Sequence, residues 1–172
     1  MIPLLKFFVD LCLLRAAPQD LPASRELFAL VLALNVLVGV IVQALISTGV
    51  GRALVISMFD AGLLLLLLWG VLYLRSRPMR FAQTATALLG AGALLAAVYL
   101  PLHWLTGPDP QASILSQLGA LLILGLMGWI QVVTGHILRH ALDVHLAVGV
   151  VLSLGYTLVS MLLFELLFLP PA

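Results

Sequence analysis

The stretch ALVISMFDAGLLLLLLWGVLYL, residues 53–74, decides the fold class of this chain. It carries a single charged side chain, Asp60, and a helix needs only about 20 mostly apolar residues to span a bilayer. Its six leucines at 63–68 do not alternate with polar residues, as a transmembrane β-strand would require. In lipid the backbone must pair its own amide and carbonyl groups, which a helix achieves. We therefore predict a transmembrane helix whose leucine run faces lipid.

Four further segments meet the same criterion of length and apolar composition. We predict spans at about residues 26–47, 53–74, 81–105, 114–138 and 144–169. The connections between them hold too few residues for a soluble core. The predicted fold class is all-α: a polytopic membrane protein with a single transmembrane domain over residues 1–172, built as a bundle of five transmembrane helices.

Composition supports a lipid environment. Hydrophobic residues make up 63% of the chain and charged residues only 9%, whereas a soluble domain carries roughly 25% charged residues. The mean hydropathy is +1.23 and the formal net charge is +1. Without a basic cluster we expect no nucleic-acid partner. Cys12 is the only cysteine, which excludes an internal disulfide and a cysteine-rich metal site.

Residues 3–15 precede the first span and form a separate short segment. Lys6 and Asp10 are four residues apart and share one helix face, while leucines and Phe8 supply apolar area. We predict a short interfacial helix at the membrane surface, with a frayed hydrophobic tail as the alternative. Asp10 interrupts the apolar stretch, which argues against a removable signal peptide. Asp20 is the predicted N-cap ahead of the first span.

Basic residues indicate the orientation. Seven of the eight lie on one side of the predicted map: before the first span, between the second and third, and between the fourth and fifth. Arg52 stands alone on the other side. We therefore expect a bacterial inner-membrane protein with a cytoplasmic N-terminus and a periplasmic C-terminus.

Asp60 is the first candidate site residue, because charge at membrane depth is costly. It lies in the outer half of its predicted span, as do four polar residues of other spans that complete a predicted polar cluster: Gln43, His103, Gln117 and Glu165. The functional interpretation is a proton or ligand site. The structural alternative is an Asp60 that is protonated, or held by Gln43 or Arg52, and only orders the bundle.

His136 and His140 are the second candidate, near the end of the fourth span. Their four-residue spacing turns both rings to one side and is compatible with a metal ion. They are weak metal candidates, because interfacial histidines beside arginine are common. Haem ligation is less favoured, since His103 is predicted at the opposite face of the membrane. We predict no cofactor. Asp143 is the predicted cap of the fifth helix.

Arg75, Arg77 and Arg80 are the third candidate, as binders of anionic lipid headgroups at about 1 kcal/mol each. The alternative is that they only set the topology.

Small residues recur along three spans, where they permit close helix approach. The stripes are Gly90, Ala93 and Ala97; Ser116, Ala120 and Gly128; and Gly149, Ser153 and Thr157. We expect them to pack the bundle internally. The alternative is a face for another membrane protein or a second copy of the chain.

Five spans with short connections resemble the Yip family of membrane-trafficking proteins. The stretch RFAQTATALLGAGALL, residues 80–95, is similar to the third-span region of short proteobacterial inner-membrane members, and GHILRHAL, residues 135–142, to their segment before the last span. The long N-terminal region and the Asp-Leu-Tyr-Gly-Pro pattern of eukaryotic members are absent. The resemblance implies a role in membrane organisation.

The leading functional prediction is a non-enzymatic scaffold, accessory subunit or membrane-organisation factor, since neither a nucleophile–base set nor a phosphate loop occurs. Its expected partners are the lipid bilayer and, through the small-residue faces, other membrane proteins or itself. A second hypothesis is a small proton-coupled transporter using Asp60. A third is a metal- or haem-binding redox subunit using His136 and His140.

Overall fold

The computed structural model describes residues 2–46 and 49–168, and it is all-α over these ranges. The helices are α1 (Ile2–Cys12), α2 (Arg25–Ile46), α3 (Val50–Leu74), α4 (Phe81–Thr106), α5 (Ile114–Leu142) and α6 (Leu146–Phe168), with 3-10 turns at Pro18–Asp20 and Pro78–Arg80. Helices α2 to α6 are each long and apolar enough to cross a membrane. The predicted fold class of a five-span membrane protein is confirmed.

The helix boundaries differ from the predicted spans by up to four residues. Helix α3 begins three residues early, at Val50, and α5 continues four residues further, to Leu142. Gly49 precedes α3 with φ of 92°, a conformation that glycine adopts without strain. Residues 47 and 169, the predicted ends of the first and fifth spans, lie outside the described residues.

Two predicted caps were wrong. Asp20 accepts a hydrogen bond from the amide of Ala17 within its own 3-10 turn, and α2 is instead preceded by Ser24, whose Oγ accepts from the amide of Leu27 at 3.1 Å. Asp143 ends α5 in the left-handed conformation, with φ of 52°. A short polar residue tolerates this conformation, so it terminates one helix rather than starting the next.

Consecutive long helices alternate in direction, which places five of the seven arginines at one end of the bundle. We call this the arginine-rich end; it holds Arg25, Arg75, Arg77, Arg80 and Arg139. Helix α4 lies at the centre and contacts α1, α2, α3 and α5. Its residues 84–91 are buried without interruption. Helix α5 also packs on α6, and α3 packs on α2.

Glycines set the closest helix crossing, between α5 and α6. A Cβ on Gly149 would collide with the carbonyl oxygen of Gly135, so neither helix tolerates a side chain there. One turn further along α6, Ser153 donates to Gln131 Oε1 at 2.6 Å. The small residues of α6 therefore pack inside the bundle, as predicted.

The N-terminal helix α1 is confirmed, and its apolar face packs onto the bundle. The Phe8 ring lies against Gly90 of α4, where a Cβ would collide with it. Leu11 and Cys12 are buried, and Trp129 Nε1 of α5 donates to the Cys12 carbonyl at 3.1 Å. Burial raises the pKa of the Cys12 thiol to about 11. The interfacial position of α1 stays a prediction.

The leucine run of α3 does not face lipid as a whole. Leu66 is 64% exposed, but Leu63 and Leu68 are buried. Six consecutive residues cover more than one helical turn of 3.6 residues, so some must point into the bundle. The expectation of a lipid-facing run was wrong for those two leucines.

Candidate functional site

Asp60 lies near the middle of its span. It is ten residues from the start of α3 at Val50, which is about 15 Å at 1.5 Å per residue. The hydrocarbon core of a bilayer is about 30 Å thick. The carboxyl group is therefore deeper than the sequence predicted, because α3 starts earlier than expected.

Two hydroxyl groups of α6 hold the Asp60 carboxyl group. Tyr156 Oη donates to Oδ1 at 2.8 Å, and Ser160 Oγ donates to the same oxygen at 3.2 Å. The two donors are four residues apart and so share one face of α6. This contact joins α3 to α6 halfway along the bundle.

Arg52, one of the two predicted partners of Asp60, is engaged elsewhere. Its Nη2 donates to the carbonyl oxygen of Phe168 at the end of α6, at 2.6 Å. A helix C-terminus carries partial negative charge, which favours a cation there. The expectation that Arg52 holds Asp60 was therefore wrong.

A polar cavity of about 210 Å³ adjoins Asp60, between α2, α3, α4 and α6. Its walls include the polar side chains Asn35, Gln43, Ser57, Asp60 and Ser160. Ser57 is only 7% exposed, and its Oγ has no hydrogen-bond partner within the described residues. A buried hydroxyl without a partner costs about 1–3 kcal/mol. The cavity thus has the size and polarity to take a small polar ligand that would satisfy this group.

The structure assembles the predicted polar cluster in part. Gln43 and Asp60 share the cavity, whereas Gln117 and Glu165 are exposed and are not among its lining residues. His103 lies one turn from Tyr99, whose hydroxyl is 3.3 Å from His103 Nδ1. Helices α6 and α4 line the cavity through other residues, such as Ser160 and Ala96, so lying on a lining helix does not bring Glu165 or His103 to the site.

Three residues of the site were missed by the sequence analysis: Tyr156, Ser160 and Ser57. The first two carry a signal that points to them, since a Tyr and a Ser four residues apart share one face of a mostly apolar helix. Ser57 lies three residues before Asp60 and therefore on the same side of α3.

The predicted histidine pair comes together at the arginine-rich end. The ring centroids of His136 and His140 are 4.7 Å apart, at an interplanar angle of 74°. His136 Nε2 lies 2.9 Å from the Ala16 carbonyl, and the Arg139 guanidinium donates to His140 Nε2. Within residues 2–46 and 49–168 no group of three or more His, Cys, Asp or Glu side chains is placed to hold a metal ion.

Two of the three predicted headgroup arginines are bound within the protein. Arg77 and Arg80 both form ion pairs with Asp143. The hydrogen bonds from Arg77 and then Arg80 hold the pKa of that carboxyl below its usual range. Arg80 also donates to the His140 and Ala141 carbonyls, at 3.0 and 3.1 Å, and so caps α5.

The N-terminal segment is tied to the same end. Gln19 Nε2 donates to the His140 carbonyl at 2.8 Å, and Gln83 Nε2 donates to the Leu21 carbonyl at 2.7 Å. Arg75 differs from its neighbours: it is exposed, and its side chain makes no hydrogen bond or ion pair with the described part of the chain.

Comparison with protein-family models, with curated proteins and with solved structures finds no match for this chain. The resemblance to the Yip family therefore stays a prediction.

Proposed function

We propose that this multi-pass membrane protein is a small proton-coupled carrier of a polar solute, with Asp60 as the residue that takes up and releases the proton. The observation that carries the proposal is the position of its carboxyl group: mid-span, in contact with two hydroxyls of α6, and on the wall of a polar cavity that holds the unpaired Ser57 Oγ.

The chemistry follows from the cost of charge in the membrane. An ionised Asp at the centre of a span costs about 2.5–3.5 kcal/mol on insertion scales, so donors or a bound proton must offset it. The hydroxyls of Tyr156 and Ser160 donate to Asp60 Oδ1 and would stabilise a negative charge there. Protonation removes the charge that strengthens both hydrogen bonds. A proton at Asp60 therefore weakens the contact between α3 and α6, which couples proton binding to helix movement.

The test measures proton movement in proteoliposomes that contain a trapped pH-sensitive dye, while small polar solutes are added outside one at a time. We expect one class of solute to change the internal pH with the wild-type protein. Asp60→Asn should abolish that change. Asp109→Asn is the matched control, because Asp109 is an exposed turn residue whose carboxylate accepts from the nearby Gln111 amide.

A solute-free measurement strengthens the test. Infrared titration of the purified protein should show a protonated carboxyl band that is missing in Asp60→Asn and present in Asp109→Asn. The carrier proposal is contradicted if the solute-driven pH change persists in Asp60→Asn. It is also contradicted if none of the added solutes changes the internal pH with the wild-type protein.

The second candidate is a non-enzymatic scaffold or accessory subunit of the kind implied by the Yip resemblance. It is favoured by one feature of α5: Gly125 and Gly128 are exposed, and a Cβ on either would meet nothing within 4 Å. Native mass spectrometry of the protein purified from its own membrane tests this role. A stoichiometric partner or a dimer that is lost in Gly128→Leu supports it, and a bare monomer counts against it.

For localisation we propose the bacterial inner membrane, with the arginine-rich end and the N-terminus in the cytoplasm and the C-terminus in the periplasm. The support is the positive-inside rule together with the single arginine, Arg52, at the opposite end. On a Cys12→Ala background, a membrane-impermeant maleimide applied to spheroplasts should label Ala112→Cys and spare Met79→Cys. The reverse pattern contradicts the orientation.

A further inference from the structure

A second, apolar cavity lies on the arginine-rich side of Asp60, lined mainly by α3 and α6 and also by residues of α4 and α5. Its volume is about 430 Å³, and it follows α3 from Leu64 to Val71, which is about 10 Å along the helix. The walls are almost wholly apolar, and Tyr156, whose hydroxyl donates to Asp60, is one of the lining residues. A polar solute gains nothing in such a space, whereas a hydrocarbon chain does.

The cavity opens sideways, at the seam between α3 and α6. Val151 of its lining is 66% exposed, and Gly155 beside it is also exposed. Two polar contacts connect the neighbouring segments: Asp60 of α3 accepts from Tyr156 of α6, and Arg77, in the link after α3, pairs with Asp143, in the link before α6. In a multi-pass protein, a side opening between two spans faces the hydrocarbon of the bilayer.

The positive charge of Arg75, at the arginine-rich end, indicates what kind of molecule enters the apolar cavity. Arg75 follows Val71 by one helical turn and is exposed, and its side chain has no partner among residues 2–46 and 49–168. One arginine near the surface attracts an anionic lipid headgroup by an amount that corresponds to roughly a fivefold gain in affinity. The apolar cavity and the Arg75 side chain are therefore placed to receive the hydrocarbon chain and the anionic headgroup of one lipid molecule.

We propose that the α3–α6 cavity binds one acyl chain of an anionic phospholipid from the leaflet at the arginine-rich end, with the phosphate held by Arg75. The site is distinct from the polar cavity at Asp60, since the two cavities share no lining residue. Lipid binding and proton coupling are consequently separable by experiment.

Native mass spectrometry of the delipidated protein in mild detergent tests the proposal, with phosphatidylglycerol or phosphatidylethanolamine of identical chains added back. The wild type should retain one phosphatidylglycerol in preference to phosphatidylethanolamine. Gly155→Leu should lose the bound lipid, because the new side chain enters the cavity and a Cβ at Gly155 meets nothing within 4 Å. Gly62→Leu is the matched control: its Cβ also has open space, but Gly62 does not line the cavity.

The headgroup contact has its own pair of variants. Arg75→Gln should weaken phosphatidylglycerol binding about fivefold and leave phosphatidylethanolamine binding unchanged. Arg25→Gln removes an exposed arginine at the same end of the bundle and should have no such effect. Equal retention of the two lipids by the wild type, or equal losses in Arg75→Gln and Arg25→Gln, overturns the charge argument.

A measurement on the wild-type protein keeps the proposal falsifiable if Gly155→Leu does not fold. Phosphatidylglycerol with a photoactivatable group on one chain should crosslink to peptides covering residues 64–71 and 151–159, and unlabelled phosphatidylglycerol should compete. Crosslinks spread evenly over all helices, or retention of lipid by Gly155→Leu at the level of Gly62→Leu, overturns it.

Discussion

Phe8 and Gly90 form the contact on which the position of α1 depends. The ring occupies the space that a side chain at Gly90 would need, so the glycine is required by packing rather than by backbone conformation. The sequence predicted the glycine as part of a small-residue stripe but could not name Phe8 as its partner. Two residues 82 positions apart meet only through the tertiary fold.

Gly90→Ala should destabilise the protein by about 1–3 kcal/mol, the usual cost of overpacking a filled site. The thermal unfolding midpoint in detergent is the measurement. Phe8→Ala introduced together with Gly90→Ala should recover part of the loss, since the ring no longer occupies the space. Gly70→Ala, where a Cβ meets nothing within 4 Å, serves as the control. A double variant no more stable than the Gly90→Ala single variant contradicts the assignment.

Cys12 offers a chemical probe of the same packing. Burial raises its pKa to about 11, and the thiolate is the reactive form. Alkylation of the wild type should therefore be slow at pH 7 and should accelerate as the pH rises towards 11. Gly90→Ala should increase the rate at pH 7 by displacing α1 and exposing the thiol. Rapid wild-type labelling at pH 7 would show that α1 is not docked.

At the scale of helices, the apolar segments themselves were predictable, because span length and hydropathy are local properties. The residues at which the helices end were less predictable. Asp143 adopts a left-handed conformation and accepts from Arg77 and Arg80, and this ion-pair cluster joins the link after α3 to the link before α6. A sequence shows that an aspartate lies near a helix end, but not which of two helices it terminates.

Asp143→Asn should lower the thermal midpoint at pH 7, where the wild-type carboxylate is ionised. Since its pKa is lowered in the folded protein, the stabilisation is present above the unfolded Asp pKa of about 3.9 and is lost as the pH falls through the folded value. The difference between variant and wild type should therefore shrink below about pH 4. Asp109→Asn should show no comparable pH dependence. A difference that stays constant down to the lowest pH contradicts the ion-pair explanation.

The five-helix bundle is held along most of its circumference by close packing, but the α3–α6 seam relies on separate polar and aromatic contacts. Asp60 with Tyr156 is one, and the Phe59 and Phe168 rings, with centroids 5.5 Å apart, are another. Both cavities adjoin this seam, since α3 and α6 contribute lining residues to each. It was not visible in the sequence, because Asp60 and Tyr156 are 96 positions apart and hydropathy does not report which helices are neighbours.

Tyr156→Phe removes one hydroxyl donor from the seam while keeping the ring. We expect a loss of about 0.5–1.5 kcal/mol, the net range for an intramolecular hydrogen bond. In the Asp60→Asn background the same substitution should cost less, so a double-mutant cycle on unfolding in detergent should be non-additive. Strict additivity would show that the two side chains do not interact.

The docking of α1 has a consequence for biosynthesis. Its contacts with Gly90 and Trp129 involve residues that leave the ribosome long after α1 itself. The interval between Cys12 and Trp129 corresponds to about 6–23 s at translation rates of about 5–20 residues per second. During that interval the Cys12 carbonyl lacks its Trp129 donor. The docking of α1 is therefore completed only after the fourth span has been made.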